Sequence, residues 1–397
     1  MQARQTIGNI LEKKDIEQRH LLLKNILEER RKLINKPASE LTPSEKTSLL
    51  LLDLNKLIYV PQPDASRTPL MQAAWEGDLE SLNLLLAAGA DLDIKNVADE
   101  TALFLAIRQG HINCVKALLN KNNINQSLDE EKITPLLAAA VCDKEDILQL
   151  LIEEKANIDD VNKNGLSSLM AAAGNENLTF VKRLLAAKAD VRLKDHSGNT
   201  ALSYAIAARD KEMFETLVKA GSDIHHVNND GATLFTIAAA NERREILDLL
   251  IKQYNEEKIS PSQYINTIDK NGDTALIGAI AKSNVAISGL LLDMKADPNI
   301  HGAKGTPAMF AAFKCGDNST ILKMLIRANA DLSIKVNGKT ALDYAEEKDH
   351  VEIRMIIKQW NKYHSHLYRM FHKSIPEIDY DEIRKDAFKE YKRYTGL

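Results

Sequence analysis

A pattern of small and apolar residues recurs along most of the chain with a nearly constant period. In each copy a Thr or Ser is followed within one or two residues by an apolar residue and then by an alanine-rich stretch. The successive copies are separated by 33, 33, 33, 33, 33, 41, 32 and 34 positions. Such a period predicts an array of stacked units, each formed from one helical supersecondary element. The leading residues are Thr68, Thr101, Thr134, Ser167, Thr200, Thr233, Thr274, Thr306 and Thr340.

The stretch 64–96 shows what one copy encodes. Thr68 is a favourable N-cap, and Pro69 is tolerated in the first helical turn, where its missing donor would have no intrahelical partner. This predicts a short first helix that ends at Gly77, followed by a second helix whose left-handed C-terminal cap is Gly89. The second helix is indicated by Leu79, Leu82, Leu85 and Leu86, at helical spacing. Two helices this short cannot cover their own apolar faces, so neighbouring copies must stack.

These copies resemble ankyrin repeats, whose family pattern includes T-P-L-H-x-A-A, G-H and G-A-D. The resemblance implies an all-α ankyrin-repeat solenoid of helix-turn-helix units with short β-turn or hairpin connections. It implies nine repeats in residues 63–359, preceded by a helical extension, 1–62, and followed by a helical cap, 360–397. The likeness is carried by Thr68, Pro69 and Leu70, by Thr134, Pro135 and Leu136, by Gly110 and His111, and by Ala88, Gly89, Ala90 and Asp91.

The copies depart from the family pattern at two kinds of position. The family's first-helix histidine is replaced by residues such as Met71, Phe104 and Asp343, so we expect its hydrogen bond to be lost in most repeats. The glycine after the second helix is replaced in several copies, at a cost of up to about 1 kcal/mol each if the backbone stays left-handed. These replacements are Lys155, Lys188, Lys295 and Asn329.

Both ends of the chain and one insertion are irregular. An apolar stripe in residues 1–36 and a capping-box pattern that begins at Thr42 predict two helices that cover the first repeat. The alternative for these helices is a partner-binding or membrane-surface segment. Residues 360–397 hold eight aromatic side chains and predict a terminal cap, with a contact surface as the alternative. About eight extra residues follow the sixth repeat, around Tyr254 and Tyr264, and predict a surface loop with or without a contact role.

Composition and charge make several classes of function improbable for this chain. The chain has 397 residues, a formal net charge of −4 and 27% charged residues, so it lacks the basic field of a nucleic-acid-binding protein. We find neither a signal-peptide core nor an apolar run long enough to span a membrane, so we expect no membrane partner. Cys114, Cys142 and Cys315 lie far apart, which favours an intracellular, reducing compartment.

The sequence offers no recognisable catalytic chemistry. The pattern around His364, His366 and His372 lacks accompanying ligands, so we predict no metal site and no cofactor. His225 and His226 fall in a turn between repeats and are expected to be exposed. No phosphate-binding glycine motif occurs, and no base accompanies Cys142, so we predict that the chain is not an enzyme.

The resemblance implies that a protein partner binds in the concave groove, which is formed by the turn tips and the first helices. Trp75 is the best single anchor, because Trp and Arg dominate interface energetics. The chain itself is expected to be a monomer. The contact positions that the resemblance implies are Arg67, Trp75, Glu76, Glu100, Arg108, Gln109, Ile133, Val141, Cys142, Asn164, Asn175, His196, Asn199, Asn229, Asn241, Lys270, Asp273, Lys282, Phe313, Lys314, Asn337, Lys339 and Lys348.

The repeats are rich in Lys, Asn and Ile, and they deviate from the family pattern. In this the chain resembles ankyrin effectors that intracellular bacterial pathogens deliver into the host cytoplasm without a classical signal peptide. Two alternatives use the ends of the chain. One is an enzyme whose active site lies in the terminal helical segments, and the other is a scaffold that binds a membrane surface through the N-terminal helices.

Overall fold

The repeating pattern of the sequence folds into pairs of short helices. The computed structural model describes residues 16–36, 42, 67–208, 210–302, 305–314 and 319–364. The chain divides into an N-terminal unit, Met1–His196, and a C-terminal unit, Ser197–Leu397. Among the described residues β-structure is limited to isolated bridges such as Val161 to Ser167. The fold is all-α, as the sequence predicts.

In the described part of the N-terminal unit, one helix precedes four helix pairs. These helices are α1 Ile16–Ile34, α2 Pro69–Glu76, α3 Leu79–Ala87, α4 Ala102–Gln109, α5 Ile112–Leu118, α6 Pro135–Val141, α7 Glu145–Glu153, α8 Ser168–Gly174 and α9 Leu178–Ala186. In the described part of the C-terminal unit, five helix pairs carry one short additional helix, α14. These helices are α10 Ala201–Ala207, α11 Lys211–Lys219, α12 Leu234–Ala240, α13 Arg244–Glu256, α14 Ser262–Ile265, α15 Ala275–Ala281, α16 Val285–Asp293, α17 Pro307–Lys314, α18 Thr320–Arg327, α19 Ala341–Glu347 and α20 Val351–His364.

The first repeat has the local structure that its residues predict. The Thr68 hydroxyl accepts a hydrogen bond from the Met71 backbone N–H at 3.2 Å, which caps α2. Gly77 ends α2 with φ 75°, and Asp78 caps α3 through the Ser81 N–H at 3.0 Å. Gly89 follows α3 with φ 85°. Start and stop signals therefore set the bounds of both helices.

Apolar rows hold the repeats together within each unit. First helices pack side by side, as α2 does on α4, and bury alanine and leucine side chains such as Ala73, Ala74 and Leu105. The turn tips are joined by backbone hydrogen bonds, including His196 N to Asn164 O at 2.9 Å and Asn229 N to Ser197 O at 3.0 Å. Each repeat thus supplies both apolar and polar partners to the next.

Side chains also complete the ends of the preceding first helices. His111 Nε2 lies 3.0 Å from the Trp75 carbonyl oxygen. Asn175 donates to the Ala140 carbonyl at 3.2 Å, and Arg243 donates to the Ala207 carbonyl at 2.7 Å. These bonds satisfy C-terminal carbonyls that have no partner inside their own helix.

The loss of the family histidine has a smaller effect than the sequence predicts. The Met71 sulfur accepts from the Thr68 backbone N–H at 3.4 Å, and the Asp343 carboxylate accepts from that of Thr340 at 2.6 Å. In their repeats, the side chains of Ser203 and Met309 likewise accept from the backbone N–H of the capping Thr. The bond is therefore kept in four of the nine repeats, where another side chain with an acceptor atom replaces the imidazole.

The residues that replace the C-cap glycine keep the left-handed backbone. Lys155, Lys188, Lys295 and Asn329 have φ values of 63°, 70°, 66° and 64°. This confirms the condition under which the sequence predicts a local cost. A Cβ at such a φ costs up to about 1 kcal/mol relative to glycine.

Replacing Lys188 with glycine is therefore expected to raise the free energy of unfolding by up to about 1 kcal/mol. Lys188 is exposed at the end of α9, so the exchange removes little packing. Lys188→Ala, which keeps the Cβ, should give no comparable gain. Urea midpoints of the three proteins measure the difference, and a Lys188→Gly protein less stable than wild type would contradict the prediction.

Helix α1 packs on the first repeat. Leu23 is fully buried, and His20 places both ring nitrogens against carboxylates, with Nε2 2.8 Å from Asp78 and Nδ1 2.7 Å from Glu80. Arg30 donates to the Ala88 carbonyl at 3.1 Å. The other predictions for the chain ends fall on residues outside the described ranges: the helix after Thr42, the aromatic residues beyond 364, Cys315, His366 and His372. The domain boundaries stay a prediction.

The insertion after the sixth repeat extends a helix and adds a short one. Helix α13 is lengthened to 13 residues, and α14 follows it. Tyr254 and Ile265 are buried, so the prediction of a surface loop is wrong for these residues. His226 is also buried, with Nε2 2.5 Å from the Gly198 carbonyl oxygen, and the half-buried His225 meets the Tyr254 ring edge to face. The prediction that both histidines are exposed is wrong, because the insertion and the previous turn cover them.

Candidate protein-binding site

One position of the first helix carries large side chains in three successive repeats. Trp75, Arg108 and Val141 each stand seven residues after the capping Thr, near the ends of α2, α4 and α6. Because this position repeats with the helix pair, the three side chains follow one another across the first-helix surface of the N-terminal unit. Val141 is 44% exposed.

Trp75 is held by two arginines. The guanidinium carbon of Arg67 lies 4.0 Å from the centre of the Trp75 ring, and that of Arg108 lies 4.9 Å from it. Cation–π contacts at this distance fix the orientation of the indole. We call Arg67, Trp75, Glu100 and Arg108 the Trp75 cluster.

Glu100 is the buried acidic partner of the cluster. It is 5% exposed, and its carboxylate accepts from Arg108 and from the Asn96 side chain, the latter at 2.9 Å. The Asn96 side chain in turn accepts from the Glu100 backbone N–H at 2.9 Å, which closes the turn before Thr101. A buried carboxylate with both oxygens bonded is an electrostatically matched support for one guanidinium.

Arg67 is as deeply buried as Glu100 and donates to Gln72 at 3.3 Å. Burial of both residues does not fit the prediction that they contact a partner directly. Their turn positions put them under the first-helix surface, where they orient Trp75 and Arg108. Sequence reasoning missed Gln72 and Phe104, whose ring centre is 5.8 Å from Arg108. Their spacing from the capping Thr was the available signal.

The thiol next to this surface is not activated. Burial raises the pKa of Cys142, and the nearby charges of Lys144 and Arg108 only partly oppose the effect. Burial also raises the pKa of Cys114, to about 11. Both thiols are therefore protonated at neutral pH, and a protonated thiol is a poor nucleophile.

The other predicted contact residues are spread over both units and differ in exposure. Several already bond within the chain: Lys270 to Asp230 at 2.5 Å, and Lys339 to Glu347 at 2.8 Å. The side chains of Phe313 and Lys314 lie outside the described atoms. The half-buried residues are Gln109, Ile133, Asn199, Asn241 and Asp273. The exposed residues are Glu76, Asn164, Asn175, His196, Asn229, Lys282, Asn337 and Lys348, together with the two bonded lysines.

Comparison with known proteins decides the family. A family model for ankyrin repeats matches residues 70–162, 143–228 and 206–301, which together exceed half of the chain. The chain belongs to the ankyrin-repeat family. Ankyrin repeats are protein-protein interaction modules. In the part of the chain that the structure describes, no helix is both long and apolar enough to cross a membrane.

Similar proteins match part of this chain. The chain is 32% identical over 122 residues to alpha-latrocrustotoxin-Lt1a of Latrodectus tredecimguttatus, which is 29% of this chain and 8% of the toxin. It is 32% identical over 100 residues to the transient receptor potential cation channel subfamily A member 1 of Drosophila melanogaster, covering 24% and 8%. It is 29% identical over 123 residues to human ankyrin repeat domain-containing protein 63, covering 29% and 32%. The matched region thus spans about a third or less of each relative.

Proposed function

We propose that this ankyrin-repeat protein binds a partner protein through the first-helix surface of its N-terminal unit, with Trp75 as the anchor. The observation that carries the proposal is the Trp75 cluster. It fixes a half-buried aromatic side chain at the end of α2 with two arginines and a buried carboxylate. A solenoid needs no such support for stacking, since the equivalent position is small in four of the other six repeats, where it is Gly174, Ala207, Ala240 or Ala281.

The cluster has the properties of an interface anchor. Tryptophan and arginine are the residues that most often dominate the binding energy of protein interfaces. Because Trp75 and Arg108 are held in place before binding, little side-chain entropy is lost on association. Val141 adds exposed apolar area one repeat further on.

The proposal extends to the oligomeric state and the cellular location of the chain. We place the chain, as a monomer, in a reducing intracellular compartment, and the compartment is supported by the free thiols of Cys114 and Cys142. A role as a bacterial effector that acts on a host protein is supported only by the residue style of the repeats. The named relatives are animal proteins.

Trp75→Ala is expected to weaken partner binding at least tenfold, because an interface anchor typically contributes about 2 kcal/mol or more. A partner is first captured from a eukaryotic lysate with the full chain and purified. Its Kd is then measured by calorimetry for wild type, Trp75→Ala and two controls in the same unit. The controls are Val97→Ala on a turn tip and Lys116→Ala on a second helix, both at exposed positions.

Equal Kd values for wild type and Trp75→Ala would contradict the proposal. Loss of binding in Val97→Ala or Lys116→Ala, with Trp75→Ala unaffected, would move the contact surface to the turn tips or the second helices. Melting temperatures of all four proteins check that the fold is retained.

A further inference from the structure

Arg108 has hydrogen-bonding capacity that no described residue of the chain uses. Its Nη1 donates to Glu100, and its guanidinium lies over Trp75 and Phe104. Within the part of the chain that the structure describes, Nε and Nη2 donate to no protein acceptor. The side chain is 30% exposed, so these donors can be reached from the first-helix surface.

A second cation lies beside Arg108. The Lys144 side chain lies over Gly110, at the end of α4, and both Lys144 and Arg108 act electrostatically on Cys142. Among the described residues, the Lys144 ammonium has no acidic partner. Of the acidic neighbours of Lys144 in sequence, Glu145 pairs with Arg183 at 2.5 Å, whereas Asp143 accepts from the neutral side-chain amide of Asn177, which does not cancel its charge. Two cationic side chains, Arg108 and Lys144, thus lie next to Cys142.

From this charge arrangement we infer the chemistry of the partner: Arg108, with Lys144 beside it, binds a side-chain carboxylate in an acidic segment of the partner protein. The inference rests on the proposed function of the Trp75 surface. A guanidinium has a planar fork of donors that matches a carboxylate, and Glu100 and Trp75 already hold this fork in place. Trp75 and Val141 then contact apolar residues that flank the acidic one.

A carboxylate fits this surface better than a phosphate group. Glu100 lies directly behind Arg108 and offsets one of the two positive charges. A carboxylate carries one negative charge, whereas a phosphorylated side chain carries about −1.5 to −2 at neutral pH. Since Asp143 also stands directly before Lys144, the surface has too little positive charge to favour the more highly charged phosphate.

The test uses the full chain and a random peptide library. Peptides are selected on wild type and on Trp75→Ala, and those that need Trp75 are synthesised. We expect them to contain Asp or Glu next to an apolar residue. In the best peptide, an acid-to-amide exchange should weaken binding about tenfold, as should Arg108→Gln in the protein, because each removes one charge-assisted pair. The two changes together should cost little more than either alone.

The outcomes separate the two proposals. Failure to select any Trp75-dependent peptide counts against the binding surface itself, and the inference falls with it. Trp75-dependent peptides without acidic residues, or additive effects of the two changes, overturn only the carboxylate inference. Tighter binding of a phosphoserine peptide than of its glutamate counterpart overturns it as well.

Two further measurements keep the test decisive. Arg108→Lys, which keeps the charge but loses the fork, should fall between wild type and Arg108→Gln. If Arg108→Gln does not fold, the acid-to-amide exchange in the peptide is read on wild type alone, and an unchanged Kd overturns the inference.

Discussion

Replacing Tyr254 with alanine is expected to lower the free energy of unfolding by about 3–5 kcal/mol, the range seen when a large buried aromatic ring is removed. Tyr254 is 1% exposed, and its ring meets His225 and Phe235 with centroid distances of 4.7 and 5.3 Å. Its hydroxyl donates to the Ile224 carbonyl at 3.3 Å. Burial raises the pKa of this phenol, so the donor keeps its proton through the neutral range.

Tyr254→Phe is the matched control, since it keeps the ring and removes one hydrogen bond. It should cost only about 1 kcal/mol. Urea unfolding followed by circular dichroism gives both values. Equal losses for Tyr254→Ala and Tyr254→Phe would show that the ring contributes nothing, and that the inserted segment does not pack as described.

Gly198→Ala is expected to cost about 2–4 kcal/mol, from backbone strain plus overpacking. Gly198 has φ +79°, and an added Cβ would lie 2.6 Å from the Asn229 backbone nitrogen. That nitrogen donates to the Ser197 carbonyl at 3.0 Å, so the methyl group would push apart two turns that are hydrogen-bonded to each other.

Gly221→Ala separates the two causes. Gly221 has φ +92°, but nothing lies within 4 Å of the Cβ position. It should therefore show only the strain of the left-handed backbone, about 1 kcal/mol. Both variants lie in the C-terminal unit and can be compared by the same thermal or urea unfolding curve. A Gly221→Ala loss as large as that of Gly198→Ala would contradict the close approach of the turns.

The sequence predicts the helix pairs well because their boundaries depend on local interactions. The Thr68 cap and the glycines at Gly77 and Gly89 act within one repeat, so their identity and spacing are sufficient. The left-handed lysines follow from the same spacing. The replaced histidine was harder to interpret, since the Met71 sulfur is a weak acceptor that residue type alone would not suggest.

Contacts between repeats could not be predicted from the sequence of a single repeat. The burial of His226 depends on the Gly198 carbonyl, 28 positions earlier. The stacking of Arg67 and Arg108 on Trp75 depends on which side chains meet across two repeats, and periodicity gives only their rows. The sequence therefore indicated Trp75 and Arg108 as surface residues, but not that Arg67 and Glu100 lie beneath them.

The side chains of His111, Asn175 and Arg243 give each array a direction. Each bonds to a carbonyl at the end of the first helix of the repeat before it, so a repeat relies on its successor for the donors that satisfy its helix-end carbonyls. Removing repeats from the C-terminal side of a unit would leave carbonyl groups without donors at the first-helix end of the new last repeat. Removing repeats from the N-terminal side would leave only side-chain donors without acceptors, and water can satisfy these donors. Shortened forms should thus tolerate losses at the two ends unequally.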